Sequence, residues 1–317
     1  MKYYLAPMEG LTTYHFRTTW NRYYGGMDKY FTPFISNRHM NSRERNDILP
    51  EHNAGMYTVP QILTNKSEEF LSLAEQLSGY GYREVNLNLG CPSGTVVARN
   101  RGAGFLGTPR ELELFLDEIY DKCPLDISIK TRIGMDDTDE WEPLLKIYQK
   151  FPIKELIIHP RLQKEGYKGT PHLEAFEEAA AQLTCPLCYN GDITSSETLS
   201  QILTKLPRID TVMIGRGILQ DPGLLQQLKA ADGAYYPVTS YEERLNTLKE
   251  FHNSLLIGYQ KIMSGDTNTL YKMKDLWTFL SRSFDNPDKY VKKIRKATDI
   301  TDYKIAVNTL FRECALK

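Results

Sequence analysis

Residues 86–104 read NLNLGCPSGTVVARNRGAG. Just before and within this stretch, Val85, Leu87 and Leu89 alternate with polar residues and stop at Gly90, the pattern of a strand that runs into a loop. Cys91 and Pro92 open that loop, and Gly94, Gly102 and Gly104 let it turn. A thiol at a strand end is where a barrel enzyme would keep an acid or a nucleophile. A free cysteine is also at home as a small buried hydrophobe, and the stretch alone leaves both readings open.

Outward from this stretch, short apolar or alternating runs recur at 3–6, 30–34, 57–63, 84–89, 126–130, 155–159, 187–190 and 211–214, and each reads as a strand. The segments between them carry helical periodicity. Phe70, Leu71, Leu73, Ala74 and Leu77 make one apolar stripe, and Leu112, Phe115, Leu116 and Ile119 make another. Thr108-Pro109, Thr170-Pro171 and Ser195-Ser196-Glu197 supply helix starts. Only residues 38–55, which are polar and lack an apolar stripe, support their helix weakly. Eight strand–helix alternations within about 230 residues point to an α/β fold, a (β/α)8 TIM barrel. An open dinucleotide-binding sheet is disfavoured, because the first strand ends in Ala6-Pro7-Met8-Glu9-Gly10 rather than a GxGxxG turn.

Gly233 and Pro237 bracket a non-periodic stretch, which sets the expected domains at 1–235 for the barrel and 236–317 for a small helical domain. Helices are expected there at 241–263, 269–283 and 302–311.

The chain has 317 residues and a net charge of −1, so no global field points to nucleic acid. The charge is uneven. Residues 237–317 hold 14 Lys and Arg against 10 Asp and Glu, a weak signal of a polyanionic partner for the tail. Five cysteines form an odd and sparse set, which suits a reducing compartment. No apolar run approaches the roughly 18 residues that span a bilayer. The opening MKYYLAPMEG also lacks the apolar stretch of about 7–15 residues that a signal peptide needs. A cytoplasmic protein with no membrane association is expected.

Catalytic residues of such barrels lie at the C-terminal ends of the strands. Those positions hold Pro7, Met8 and Glu9; Gln61; Asn88 and Cys91; Lys130 and Arg132; His159 and Arg161; Asn190, Gly191 and Asp192; and Gly215 with Arg216. Singly each has a structural explanation, but together they make a polar set at one end of successive strands. The last two groups are glycine turns entering helices, where backbone N–H groups and Arg216 could hold a phosphate. Lys130 and His159 could bind the electron-rich edge of a cofactor ring.

Competing motifs are weaker. Cys185-Pro186-Leu187-Cys188 has redox-motif spacing but leads into a strand, and it lacks the further ligands of a zinc site. The six histidines show no metal-ligand spacing, so no metal is expected. The run from Lys289 to Lys296, with Lys292, Lys293, Arg295 and Lys296, fits either nucleic-acid contact or a solvated helix face.

LAPMEG, VPQIL, the 86–104 stretch, ISIKTRIG, IIHPRLQKEGYKG, YNGDI and VMIGRGIL together resemble the tRNA-dihydrouridine synthase family, in its order and spacing, over essentially the whole chain. The resemblance implies a barrel enzyme that binds FMN and, with NADPH or NADH as reductant, reduces a uridine of tRNA to 5,6-dihydrouridine. Hydride passes from reduced flavin to carbon 6, and Cys91 gives the proton to carbon 5. By the same resemblance Pro7, Met8, Glu9, Gln61, Lys130, His159, Asn190, Gly191, Asp192, Gly215 and Arg216 hold the flavin. Asn88 contacts the uracil, and Arg132 and Arg161 contact tRNA. The stretch LYKMKDLWTFLSRSF at 270–284 is most similar to the subgroup that modifies uridine 16. Two departures touch loops: His159-Pro160-Arg161-Leu162 stands where the family often has H-G-R-T, and the glycine run after the cysteine is reduced to Arg101-Gly102-Ala103-Gly104-Phe105. No protein partner is implied, and a monomer is expected. A flavin enzyme of a free pyrimidine and a non-catalytic tRNA-binding protein are the alternatives.

Overall fold

The computed structural model describes residues 1–233 and 239–317, so the 235/236 boundary expected from sequence lies outside the described residues. Two compact units are present. The first comprises Met1–Pro7, Asp28–Asp192 and Ser200–Ile214; the second comprises Met8–Met27, Ile193–Leu199 and Gly215–Lys317.

In the first unit eight parallel strands close into a barrel in chain order: β1 (Lys2–Leu5), β2 (Lys29–Ile35), β3 (Thr58–Ile62), β4 (Glu84–Leu89), β5 (Asp126–Thr131), β6 (Leu156–Ile158), β7 (Leu187–Tyr189) and β8 (Thr211–Ile214). The (β/α)8 expectation holds, and β4 and β8 have the bounds read from sequence. β3 and β4 are buried at every residue, as parallel strands covered on both faces must be.

The interior is layered. Lys29, Glu84 and Glu155 form an ion cluster at the N-terminal end. An apolar layer of Tyr4, Ala6, Phe31, Val59, Ile157, Cys188 and Met213 lies in the middle. Cys188 of the CxxC motif therefore belongs to the core, and burial pushes its thiol well above the ordinary range.

Helix Pro109–Lys122 begins on proline and buries Leu112, Phe115, Leu116 and Ile119, the stripe read from sequence. Helix Ser42–Ile48, weakly supported by sequence, is held by polar groups instead. Asn41 and Glu44 form a capping box, and the buried Glu44 carboxylate also accepts from the Ser36 N–H and the Asn37 amide.

The second unit contains helices Tyr14–Tyr23, Tyr241–Ile262, Asp266–Leu280, Asp288–Lys296 and Ile300–Glu313. Its core includes a polar knot. Trp277 Nε1 donates to the Tyr303 hydroxyl at 2.8 Å, and that hydroxyl meets His252 Nε2 at 2.7 Å. Burial pulls His252 down to about 4, so the ring is neutral; its Nδ1 faces the Asn253 Oδ1 acceptor at 3.3 Å, which leaves Nε2 to accept from Tyr303. Among the described residues no helix is long and apolar enough to cross a membrane.

Candidate active site

The polar end of the barrel is organised by two peptide N–H groups. Gly90 and Cys91 both donate to Asn88 Oδ1, at 3.0 and 2.9 Å. Backbone nitrogens can only donate, so this fixes which end of the Asn88 amide is oxygen. Its nitrogen then donates to Gln61 Oε1 at 2.8 Å, and Gln61 Nε2 donates to Asn86 Oδ1 at 2.8 Å. Asn86 Nδ2 completes the relay on Ser128 Oγ at 3.0 Å. The β4–β5 register, with Asn86 opposite Ser128 and Asn88 opposite Lys130, puts these groups level across the sheet.

Gln61 is set by a break in the neighbouring strand. Pro33 in β2 has no N–H, and the β2–β3 register shifts between Phe31 and Phe34. The Thr32 hydroxyl takes the Gln61 N–H at 3.1 Å. Asn88 and Gln61 each retain a second amide N–H beyond the relay.

Cys91 is half-buried. Its carbonyl accepts the Ala103 N–H at 3.1 Å, bringing Gly102 against it. Gly102 has φ +57°, and a Cβ there would stand 2.9 Å from the Cys91 carbonyl oxygen, so the reduced glycine run keeps the glycine this contact requires. Arg101 anchors the same loop through Glu69 at 2.8 Å.

Lys130 is half-buried, and its ammonium has no hydrogen bond or acidic partner among the described residues. Burial first, and the Arg132 cation second, pull it down to about 8.

His159 Nε2 lies 3.0 Å from Arg161 Nη1. A guanidinium cannot accept, so Nε2 does, and the proton of a neutral ring sits on Nδ1. Arg161 is in turn bidentate to Asp192, at 3.1 and 2.7 Å, and donates to the Lys168 and Gly169 carbonyls. Arg132 donates to the carbonyls of Gly90, Leu162 and Gly166 at 3.0, 2.8 and 2.7 Å. Both guanidiniums are buried, Arg132 on carbonyls and Arg161 on carbonyls, His159 and Asp192, so they tie together the loops after β4 and β6 in this structure.

After β7, Asn190 donates to the Met213 carbonyl at 2.8 Å. A Cβ on Gly191 would fall 2.0 Å from the Tyr189 hydroxyl, so only glycine fits. That hydroxyl is buried and has no hydrogen-bond partner in the described residues. Pro7 closes the β1 segment of the first unit, whereas Met8, Glu9, Gly215 and Arg216 belong to the second. There the Met8 carbonyl accepts the Leu11 and Thr12 N–H groups, and Gly215 precedes the short helix Arg216–Gln220. Lys292, Lys293, Arg295 and Lys296 are exposed on helix Asp288–Lys296, which buries Val291 and Ile294.

The dihydrouridine synthase family model matches residues 4–313. The chain belongs to the dihydrouridine synthase family. The synthase is 30% identical over 269 residues to a probable tRNA-dihydrouridine synthase of Staphylococcus aureus (strain COL), covering 81% of this chain and 78% of that protein. It is 29% identical over 262 residues to the tRNA-dihydrouridine(16) synthase of Pseudomonas putida, with 79% and 80% covered. The match to tRNA-dihydrouridine synthase B of Pasteurella multocida is 28% over 230 residues, 72% of this chain and 68% of that one. Among solved structures, morphinone reductase in complex with tetrahydroNAD superposes with a TM-score of 0.51 at 11% identity, over 77% of the synthase and 90% of that chain. That likeness is one of fold.

Sequence reading missed Asn86, Ser128, Thr32, Tyr189 and Gln163. Asn86 and Ser128 had a signal, since they lie two residues before Asn88 and Lys130 and so on the same faces of β4 and β5.

Proposed function

We propose that this synthase reduces uridine 16 of tRNA to 5,6-dihydrouridine, with FMN as its flavin, NADPH as reductant and Cys91 as proton donor. One observation carries the reading. Cys91 and Lys130 share the mouth of the barrel, and the Lys130 ammonium has no acidic partner among the described residues. A cation held without a counter-ion in a half-buried site fits an anionic or electron-rich ligand.

The donor set suits a flavin. Lys130, the second N–H of Gln61 and His159 are groups that bind ring oxygens and nitrogens. The orphaned Tyr189 hydroxyl beside Gly191 is a donor for a negatively charged group, in the turn that Asn190 anchors on the Met213 carbonyl and Asp192 on Arg161. When bound, reduced FMN supplies the hydride that carbon 6 of uracil receives. Cys91 supplies the proton to carbon 5, and the second N–H of Asn88 is a donor for a uracil carbonyl. General-acid help of this kind is worth about 10²–10⁴-fold.

A uridine within folded tRNA must leave its stack to reach such a pocket. The exposed cations of helix Asp288–Lys296 supply phosphate attraction for that docking. Uridine 16 is supported by the 270–284 stretch and by the named relative from Pseudomonas putida.

The test is position-resolved mapping of dihydrouridine in unmodified tRNA after incubation with the FMN-loaded enzyme and NADPH. New dihydrouridine at position 16 is expected. Reduction of free uracil or orotate with tRNA untouched would mean a free-pyrimidine enzyme, and tRNA binding without FMN uptake would mean a non-catalytic binder.

A further inference from the structure

The peptide groups on either side of Cys91 are tied down one by one. The Cys91 N–H goes to Asn88, its carbonyl receives Ala103, and the Gly90 carbonyl receives Arg132 Nε. The following residue is Pro92, which has no N–H and whose ring also confines residue 91 to extended backbone. On that side the nearest backbone group left to take a hydrogen bond is the Pro92 carbonyl. Gln163 Nε2, from the loop after β6, donates to it at 3.1 Å.

Gln163 is itself seated firmly. Its N–H donates to the Gly134 carbonyl at 2.9 Å, and it opens the 3-10 turn Gln163–Glu165. The carbonyls flanking that turn, Leu162 and Gly166, are the two that Arg132 grips. Arg132 and Gln163 therefore act as two jaws on the thiol loop, one before Cys91 and one after it.

We propose that Gln163 is a positioning residue for Cys91, acting through the Pro92 carbonyl; this rests on the reading of Cys91 as the proton donor. Proton transfer demands heavy atoms within about 2.6–3.2 Å, and a misplacement of about 1 Å can cost about 10²-fold. Loss of one of several ties should cost less, about tenfold.

The experiment is reduction of tRNA by pre-reduced holoenzyme in single turnovers over a tRNA concentration series up to saturation, comparing wild type, Gln163→Ala, Gln163→Glu, Cys91→Ala and the double variant Gln163→Ala/Cys91→Ala. Glutamate keeps the shape but cannot donate when ionised, so it distinguishes the hydrogen bond from packing. Both Gln163 variants are expected to lose about tenfold in the rate constant. Their KM for tRNA and their flavin reduction by NADPH should stay within about twofold of wild type. In the Cys91→Ala background, Gln163→Ala should cost nothing more, since its effect passes through the thiol. A slow Cys91→Ala enzyme alongside unimpaired Gln163 variants overturns the positioning role alone. So does a Gln163 loss that persists in the Cys91→Ala background or appears only in KM. A Cys91→Ala enzyme with the wild-type rate overturns the proton-donor reading itself, and the positioning role with it.

Discussion

The two ends of the barrel use charge in opposite ways. At the N-terminal end Lys29 lies 3.1 Å from Glu84 and 3.0 Å from Glu155, while Tyr4 donates to Glu155 at 2.8 Å and Tyr57 to Glu84 at 3.2 Å. Each charged group there has its partners within the protein. At the other end of the same strands, Lys130 has no acid among the described residues, and two amides keep an uncommitted N–H. The closed end is built for stability, and the open end keeps its binding capacity for something else.

This contrast can be broken most severely at the closed end. Glu155→Ala should lower unfolding free energy by about 3 kcal/mol, because it leaves Lys29 under-compensated in a buried site. Lys130→Met at the open end should leave stability unchanged or raise it while weakening flavin binding. Thermal melts of the two variants without flavin check both, and equal destabilisation would erase the distinction.

A third set of cations sharpens it. Lys292, Lys293, Arg295 and Lys296 also lack acidic partners among the described residues, but they stand exposed in the second unit. Charge reversal at all four should weaken tRNA binding by at least about tenfold at moderate salt and flatten its salt dependence, leaving flavin content alone. Filter binding over a salt series gives the answer; unchanged affinity would make the helix a solvated face.

The smallest effect is a matter of pH. Lys130 has its affinity for protons pulled from 10.5 down to about 8. Flavin affinity of the bare protein should therefore fall a few-fold as pH rises through about 8, where the ammonium loses its charge. Stability should move the other way. Between about 8 and 10.5 the unfolded chain holds a proton that the folded one has released, so unfolding free energy rises with pH there. Titrations of binding and of melting temperature that run in parallel would contradict this assignment.

The barrel was legible because each strand announces itself through a short apolar run, and each well-formed helix through a 3.6-residue stripe. Helix Ser42–Ile48 was faint because polar caps hold it, and Asp288–Lys296 was not set apart as a helix because only Val291 and Ile294 are buried in it. Strand-end position put Lys130, His159 and Cys91 among the candidates. It could not separate a committed cation from an uncommitted one. Arg132 and Arg161 are tRNA contacts by the resemblance, yet in the folded chain their donors go to Asp192 and to carbonyls of loops whose path only the fold defines. Gln163 was silent for the same reason: its partner lies 71 residues away.

The relay from Cys91 to Ser128 has a consequence for what can be substituted along it. Its polarity is dictated at one end by two peptide nitrogens, so every amide along it must point the same way. Exchanging Asn86 or Gln61 for a side chain with the opposite donor sense would set like against like at the next link, and the error would travel to Asn88. Four side chains on three strands thus behave as one unit, and a reversal of donor sense at any of them is felt at Asn88 unless its neighbours change in step.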